Sequence, residues 1–336
     1  MNPQDERMHP VGDAPAWSES YYFNFVDPDS KIAMFTRMGF RPGDGWADGL
    51  HVVYLGGDRV AFTYGRRDIS PDLTAYNGDL SAGALKIECL DPFKHWRIGY
   101  DGPAQDITDA AILLARRKSR PTDWFVPQQL TMEVDFHGIS EPHYAAGAAA
   151  TAGRERGHFE QTGRVSGKIR VGDKTFNVSG YGVRDKSWGP RDWGAGSSGP
   201  SQQRAIPTGP APFVNWFSMN FGPDLALGGA CVRAVDGQMR GSGWFNADGR
   251  NEELDDVLIE SQYRPDSIWH TGVRLTARTR SGRSLDIKGR VLTVCPTKIP
   301  MRGGATFVNE GLAEFSLDGK TGYGIAEHWH AVLGAD

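Results

Sequence analysis

The sequence predicts an all-β protein made of two related antiparallel domains. Three observations carry that reading. Turn-forming residues are abundant, with 43 glycines and 20 prolines set between short apolar runs. Apolar and polar residues alternate with period two along much of the chain. One short motif occurs near the end of each half.

The alternation is clearest in two places. Leu130, Met132, Val134 and Phe136 alternate with Thr131, Glu133 and Asp135, which gives one buried side and one wet or pocket-facing side. Val273, Leu275 and Ala277 alternate with Arg274, Thr276 and Arg278. Ser281-Gly282 supplies a turn, and Leu285 and Ile287 resume against Asp286 and Lys288. Further hairpin turns are expected at Gly56-Gly57-Asp58, Gly172-Asp173, Asp236-Gly237 and Asp248-Gly249, where Gly supplies positive φ. A single helix is expected over Ile107 to Lys118, capped by Asp106 or Thr108, although Ile112-Leu113-Leu114 would also suit a strand. His143 to Gly153 reads as a flap of small residues. Gly194 to Pro212 is rich in Gly, Ser and Pro and reads as a linker. The domains therefore run over 1–194 and 195–336.

The repeated motif is Gly180-Tyr181-Gly182-Val183-Arg184-Asp185 in the first half and Gly322-Tyr323-Gly324-Ile325-Ala326-Glu327 in the second. A glutamate precedes each, Glu160 and Glu310. The matching placement argues for duplication.

Composition narrows the function. The formal net charge is -4 at pH 7, and Arg116-Arg117-Lys118 with Arg120 is the densest basic cluster. A nucleic-acid partner is not expected. Cys89, Cys231 and Cys295 are far apart and form no CxxC pair, which argues against a disulfide framework or structural zinc. Residues Met1 to Arg7 are polar, and no apolar run approaches the roughly 20 residues of a membrane span. The expected location is cytoplasmic, with no membrane span. There is no GxxxxGK[ST], no GxGxxG opening a helix after a strand, no GxSxG and no HExxH. Cofactor-free proton transfer is what this elimination leaves.

The chemistry-bearing residues concentrate between Tyr181 and Trp193, which hold two Arg, two Asp, one Lys, two Trp and one Tyr. Arg184 or Arg191 could orient a carboxylate there, and Asp185 or Asp192 could move a proton. An Arg–Asp clamp between domains explains the same residues equally well. His158 and Glu160 share one strand face, as a base with its orienting partner or as an edge pair. Alternation also groups Glu19, Tyr21 and Phe23, as a pocket wall or as aromatic core. Glu327 with Trp329, and His328 with His330, form a second cluster. A His-x-His strand pair can bind metal, but no third ligand stands out, so no metal is expected.

At Trp17 to Phe25, His158 to Gln161 and Arg184-Asp185-Lys186-Ser187-Trp188-Gly189-Pro190-Arg191-Asp192-Trp193, the chain resembles bacterial two-domain lipocalin-like proteins. These calycin-like proteins are related to carotenoid hydratase and AttH-type proteins. The resemblance covers nearly the whole chain and is stronger in the first half. It implies two lipocalin-like antiparallel barrels or sandwiches side by side. It also implies an apolar substrate such as a terpenoid, steroid or aromatic compound, and hydratase, cyclase or isomerase chemistry without a redox cofactor. A lyase acting on lignin-derived phenolics, releasing water or formaldehyde, is a further option.

With the residues, this gives a concrete expectation. A hydrophobic small molecule sits in a cavity walled by Tyr21, Phe23, Trp188 and Trp216, with Glu19 as a polar contact. Asp185 is the acid or base, His158 and Tyr181 are its proton partners, Arg184 orients, and Glu160 supports His158. No cofactor is expected, and a homodimer is allowed. The rival is a carrier of a hydrophobic ligand, which needs the aromatic wall but no acid–base group.

Overall fold

The period-two runs are strands, and their antiparallel pairing produces two β units. The computed structural model describes residues 1–12, 16–145, 156–190, 211–234, 236–301 and 304–333. One unit comprises Met1–Gly56, Val60–Ile107 and Phe125–Arg191. The other comprises Gly57–Arg59, Thr108–Trp124 and Asp192–Asp336. The expected junction at 194/195, the linker up to residue 210 and most of the flap lie outside the described residues.

The first unit contains β1 (Trp17–Asp27), β2 (Ile32–Arg41), β3 (Trp46–Tyr54), β4 (Val60–Asp68), β5 (Leu80–Ala82), β6 (Leu85–Asp91), β7 (His95–Ile107), β8 (Val126–Gly138), β9 (His143–Tyr144), β10 (Gly157–Val171) and β11 (Lys174–Pro190). They form an 11-stranded sheet in the order β4-β3-β2-β1-β11-β10-β8-β7-β6-β5, with β9 beside β10. An added pairing of β4 with β7, Val60 opposite Ile107, curls the sheet back on itself. Its concave side is filled by alternate residues such as Phe23, Phe25, Met34, Trp96, Val134, Phe136 and Phe159.

The second unit contains β12 (Val214–Asn220), β13 (Leu225–Arg233), β14 (Met239–Ala247), β15 (Arg250–Tyr263), β16 (His270–Thr279), β17 (Ser284–Met301), β18 (Gly304–Leu317) and β19 (Lys320–Leu333). These close into an eight-stranded barrel in sequence order, with β19 returning to β12. Phe217, Leu227, Phe245, Leu254, Leu275, Ile287, Phe315 and Ala326 pack in its interior. Both units are antiparallel and lipocalin-like in architecture, as the sequence predicts.

The repeated motif is a repeated structure. In β11, Gly182 lies against β1, where a Cβ would overlap the Asn24 carbonyl oxygen. In β19, Gly324 meets β12, where a Cβ would overlap the Ser218 carbonyl oxygen. Only glycine permits these approaches. The upstream acids also correspond: Glu160 pairs with Asp185 across β10 and β11, and Glu310 pairs with Glu327 across β18 and β19.

One expectation fails. No α-helix covers residues 107–118. Ile107 ends β7, and the rest forms two short 3-10 turns, Ala110–Leu114 and Arg117–Ser119. The cap is Asp109, whose carboxylate accepts from the Ala111 N–H at 2.9 Å. Only Ala110 and Leu113 of the first turn are buried. Two buried positions in the first turn and none in the second are too little to sustain an α-helix.

Burial fixes a pH dependence. His51 in the first unit and His270 in the second are pushed down to a pKa of about 3 by desolvation, and desolvation lowers His328 as well. Unfolded histidine titrates near pH ~6.5. The folded values lie below the unfolded one, so the stability of the neutral forms is complete above ~6.5. It is lost as pH falls from ~6.5 towards ~3, by about 1.4 kcal/mol per pH unit for each histidine. Urea denaturation at about pH 7 and about pH 5 should show a marked loss. His51→Gln should make that loss shallower; an unchanged pH slope would count against the buried neutral histidine.

Candidate acid–base site

Strand β11 carries charge on both faces, and alternation separates its chemistry into two clusters. Asp185, Val183 and Ser187 point away from the core. Arg184, Lys186 and Trp188 point into it.

On the face away from the core, His158 bridges two carboxylates. Its Nε2 is 3.1 Å from Glu160 Oε1, and its Nδ1 is 3.4 Å from Asp185 Oδ2. Two structural rules set this geometry. His158 and Glu160 are two apart on β10, and Glu160 lies directly opposite Asp185 on β11. The carboxylates are largely buried, at 5% and 13% side-chain exposure, whereas the imidazole is 30% exposed. The ring is therefore the member a solute meets first. In its protonated form each N–H has a carboxylate acceptor. Around it, Tyr22 faces Asp185 from β1, and Ser20 Oγ lies 2.9 Å from Ser187 Oγ.

One ligand atom from each of His158, Glu160 and Asp185 falls within 4.8 Å of the others, so the three could also hold a cation. As placed, however, the two ring nitrogens face different carboxylates. Metal ligation instead aims one lone pair from each ligand at a shared centre.

On the core face, Arg184 is 1% exposed. Its Nη1 donates to Glu6 Oε2 at 2.8 Å, its Nη2 donates to Glu6 Oε1, and its Nε donates to Gln161 Oε1 at 2.8 Å. Gln161 in turn donates to the Phe93 and Ser140 carbonyls, both at 2.7 Å. Lys186, fully buried, pairs with Glu19. Glu19 also accepts from the His9 backbone N–H at 3.0 Å, and its Oε1 lies 2.9 Å from His9 Nδ1. The His9 ring stacks on Trp188 at 4.0 Å and 8°. The Tyr21 hydroxyl donates to the Glu6 carbonyl at 3.2 Å, and burial raises its pKa.

The residues expected to form one site are thus divided. His158, Glu160 and Asp185 come together. Arg184 does not orient Asp185, because consecutive strand residues point to opposite sides. Tyr181 shares the Asp185 face but lies four residues along β11, about 13 Å away at strand rise. Tyr21, Phe23, Trp188 and Glu19 line the core side, where Glu6, Met8 and His9 of the chain itself fill the space. Trp216 belongs to the second unit, on β12 opposite Glu327. Arg191 and Asp192 lie outside the described residues. Sequence reasoning missed Glu6 and His9 because a short polar N-terminal segment has no periodicity to mark it. The available signal was a carboxylate shortage: Arg184 and Lys186 point inward and require acids from somewhere.

A family model matches residues 2–332, that of the domain of unknown function DUF7064. The chain belongs to the DUF7064 family. No curated protein matches it in sequence. Among solved structures, this DUF7064 chain is similar to an AttH-type protein from Nitrosomonas europaea, with a TM-score of 0.60 and 13% identity over 100% of this chain and 97% of that one. It is similar to CghA, with a TM-score of 0.54 and 12% identity over 96% and 90%. It is also similar to kievitone hydratase from Nectria haematococca, with a TM-score of 0.50 and 8% identity over 98% and 94%. At these identities the likeness is one of fold.

The core-side pair makes a stability prediction. Removing one partner of a buried ion pair leaves an uncompensated charge, at a cost of about 3–5 kcal/mol. Glu6→Gln and Arg184→Met should each destabilise the DUF7064 chain by that order in urea denaturation. The double variant should lose clearly less than the sum, and additive losses would mean the pair is not coupled.

Proposed function

We propose that this protein is a lyase of the hydratase type, adding or removing water on a hydrophobic aromatic or terpenoid molecule without a redox cofactor. The observation that carries the reading is the half-exposed imidazole of His158 held between the carboxylates of Glu160 and Asp185. The hydratase named among the similar folds supports it at the level of architecture.

In the eliminating direction, the C–O bond breaks and its electron pair leaves with the hydroxyl group. His158 supplies the proton that makes it water. The neighbouring C–H proton passes to a carboxylate, and its electron pair forms the new double bond. Asp185, the more exposed acid, is placed for that role. Glu160 holds the ring and stabilises the imidazolium. In the hydrating direction the same groups act in reverse.

The experiment is incubation of purified protein with terpenoid, steroid and phenolic candidates, with products read by mass spectrometry. Gain or loss of water is expected, and His158→Gln should lower the rate by about 10²–10⁴ while leaving the fold intact. Compounds that bind and return unchanged would establish the carrier role instead. Full activity in His158→Gln would remove this cluster from the mechanism.

A further inference from the structure

The interior of the second barrel holds a polar cluster that the acid–base reading does not use. Asn215 on β12, His328 on β19 and Asn309 on β18 stand in one row, because Asn215 and Asn309 each pair directly with His328. His270 on β16 stacks on His328, with ring centroids 3.9 Å apart and 28° between planes. From β15, the Tyr263 hydroxyl lies 3.1 Å from His328 Nδ1, and Ser261 Oγ lies 3.3 Å from Nε2.

The hydrogen bonding here is lopsided. His270 Nε2–H donates to the Ala326 carbonyl at 2.8 Å, which leaves a lone pair on Nδ1. Asn309 Nδ2 donates to the Ile268 carbonyl at 2.8 Å, which fixes its amide and leaves Oδ1 as an acceptor. Among the described residues, no donor reaches His270 Nδ1, Asn309 Oδ1 or Asn215 Oδ1. All three residues are nearly or fully buried, at 0%, 0% and 3% exposure. A buried acceptor without a donor costs about 1–3 kcal/mol, so three at one end of a barrel call for a guest that donates.

We propose that this end of the second barrel binds a small neutral molecule carrying an aromatic hydroxyl, with phenol as the simplest member of the class. The acceptors require a donor. Burial keeps His270 and His328 uncharged, so nothing in the pair attracts an anion. The stacked imidazoles and the Tyr263 ring, edge-on to His270 at 6.4 Å, offer flat walls to a planar guest. Tyr263 and Ser261 are half-buried, the most exposed members of the cluster.

Phenol and anisole, titrated into the full-length protein, test the proposal; anisole keeps the ring but lacks the O–H. Nitrogen NMR of His270 follows the site directly in the unaltered protein. Phenol should shift the Nδ1 resonance as its lone pair accepts a hydrogen bond. Anisole should bind at least about tenfold more weakly, the factor that 1.4 kcal/mol represents. His270→Phe should bring phenol down to the anisole level, and His158→Ala should leave phenol binding intact. Equal binding of phenol and anisole, a stationary Nδ1 resonance, or loss of binding in His158→Ala would each overturn the proposal. No phenol binding at millimolar concentration would mean that ordered water alone serves these acceptors. If His270→Phe does not fold, the comparison in the unaltered protein decides by itself.

Discussion

Strand alternation across β11 is the constraint on which the first unit rests. Three consecutive residues, Arg184, Asp185 and Lys186, are charged, so a strand must send charge to both of its faces. Two cations enter the core, and one acid goes to the other side. A cation inside a β core is tolerated only with a matched acid and further hydrogen bonds. Glu6 and Glu19 supply the acids, and Gln161 and His9 supply the further bonds. Aromatic rings complete the enclosure: the Arg184 guanidinium lies 5.0 Å from the Phe159 ring, and the Lys186 ammonium lies 4.3 Å from the Tyr21 ring. Asp185, freed from Arg184 by this geometry, is left to face His158.

The two units solve the same packing problem with different side chains. Each brings its last long strand against its first, through a glycine that admits the neighbouring carbonyl. Each sets two acids opposite one another on its last hairpin. Beside its apolar core the first unit buries ion pairs, whereas the second buries neutral imidazole, amide and hydroxyl groups. The two units thus share these backbone contacts while their interior chemistry differs, consistent with function residing in sites grafted onto folds.

Much of this was legible in the sequence. Alternation marked β8, β16 and β17, the Gly–Asp pairs marked hairpin turns, and the two Gly-Tyr-Gly motifs marked the matching close approaches of β11 to β1 and β19 to β12. The pairing of His158 with Glu160 followed from a spacing of two. What was not legible depended on register. Nothing local says that Glu160 lies opposite Asp185, or that Glu19 and Tyr21 share a face with Arg184 and Lys186. Pairing partners separated by a long stretch of chain are set by the whole sheet. The helix expected at 107–118 failed for a related reason: local propensity supported it, but only isolated contacts were available to hold it.

The seat of the N-terminal segment also shapes how the protein is made. β1 pairs with β11, and Glu6 meets Arg184, so these residues find their partners only after roughly 175 others have followed them. At ribosomal speeds of about 5–20 residues per second, that is a wait of roughly 10–40 s. Throughout it, the aromatic β1 segment, Trp17 to Phe25, has an unpaired edge and an unmatched Glu19. Consecutive hairpins in either unit can form as they emerge, but each unit completes only when its last long strand meets its first, β11 on β1 and β19 on β12. A nascent chain stalled before residue 184 would display a sticky edge, making that interval the one in which chaperone protection counts most.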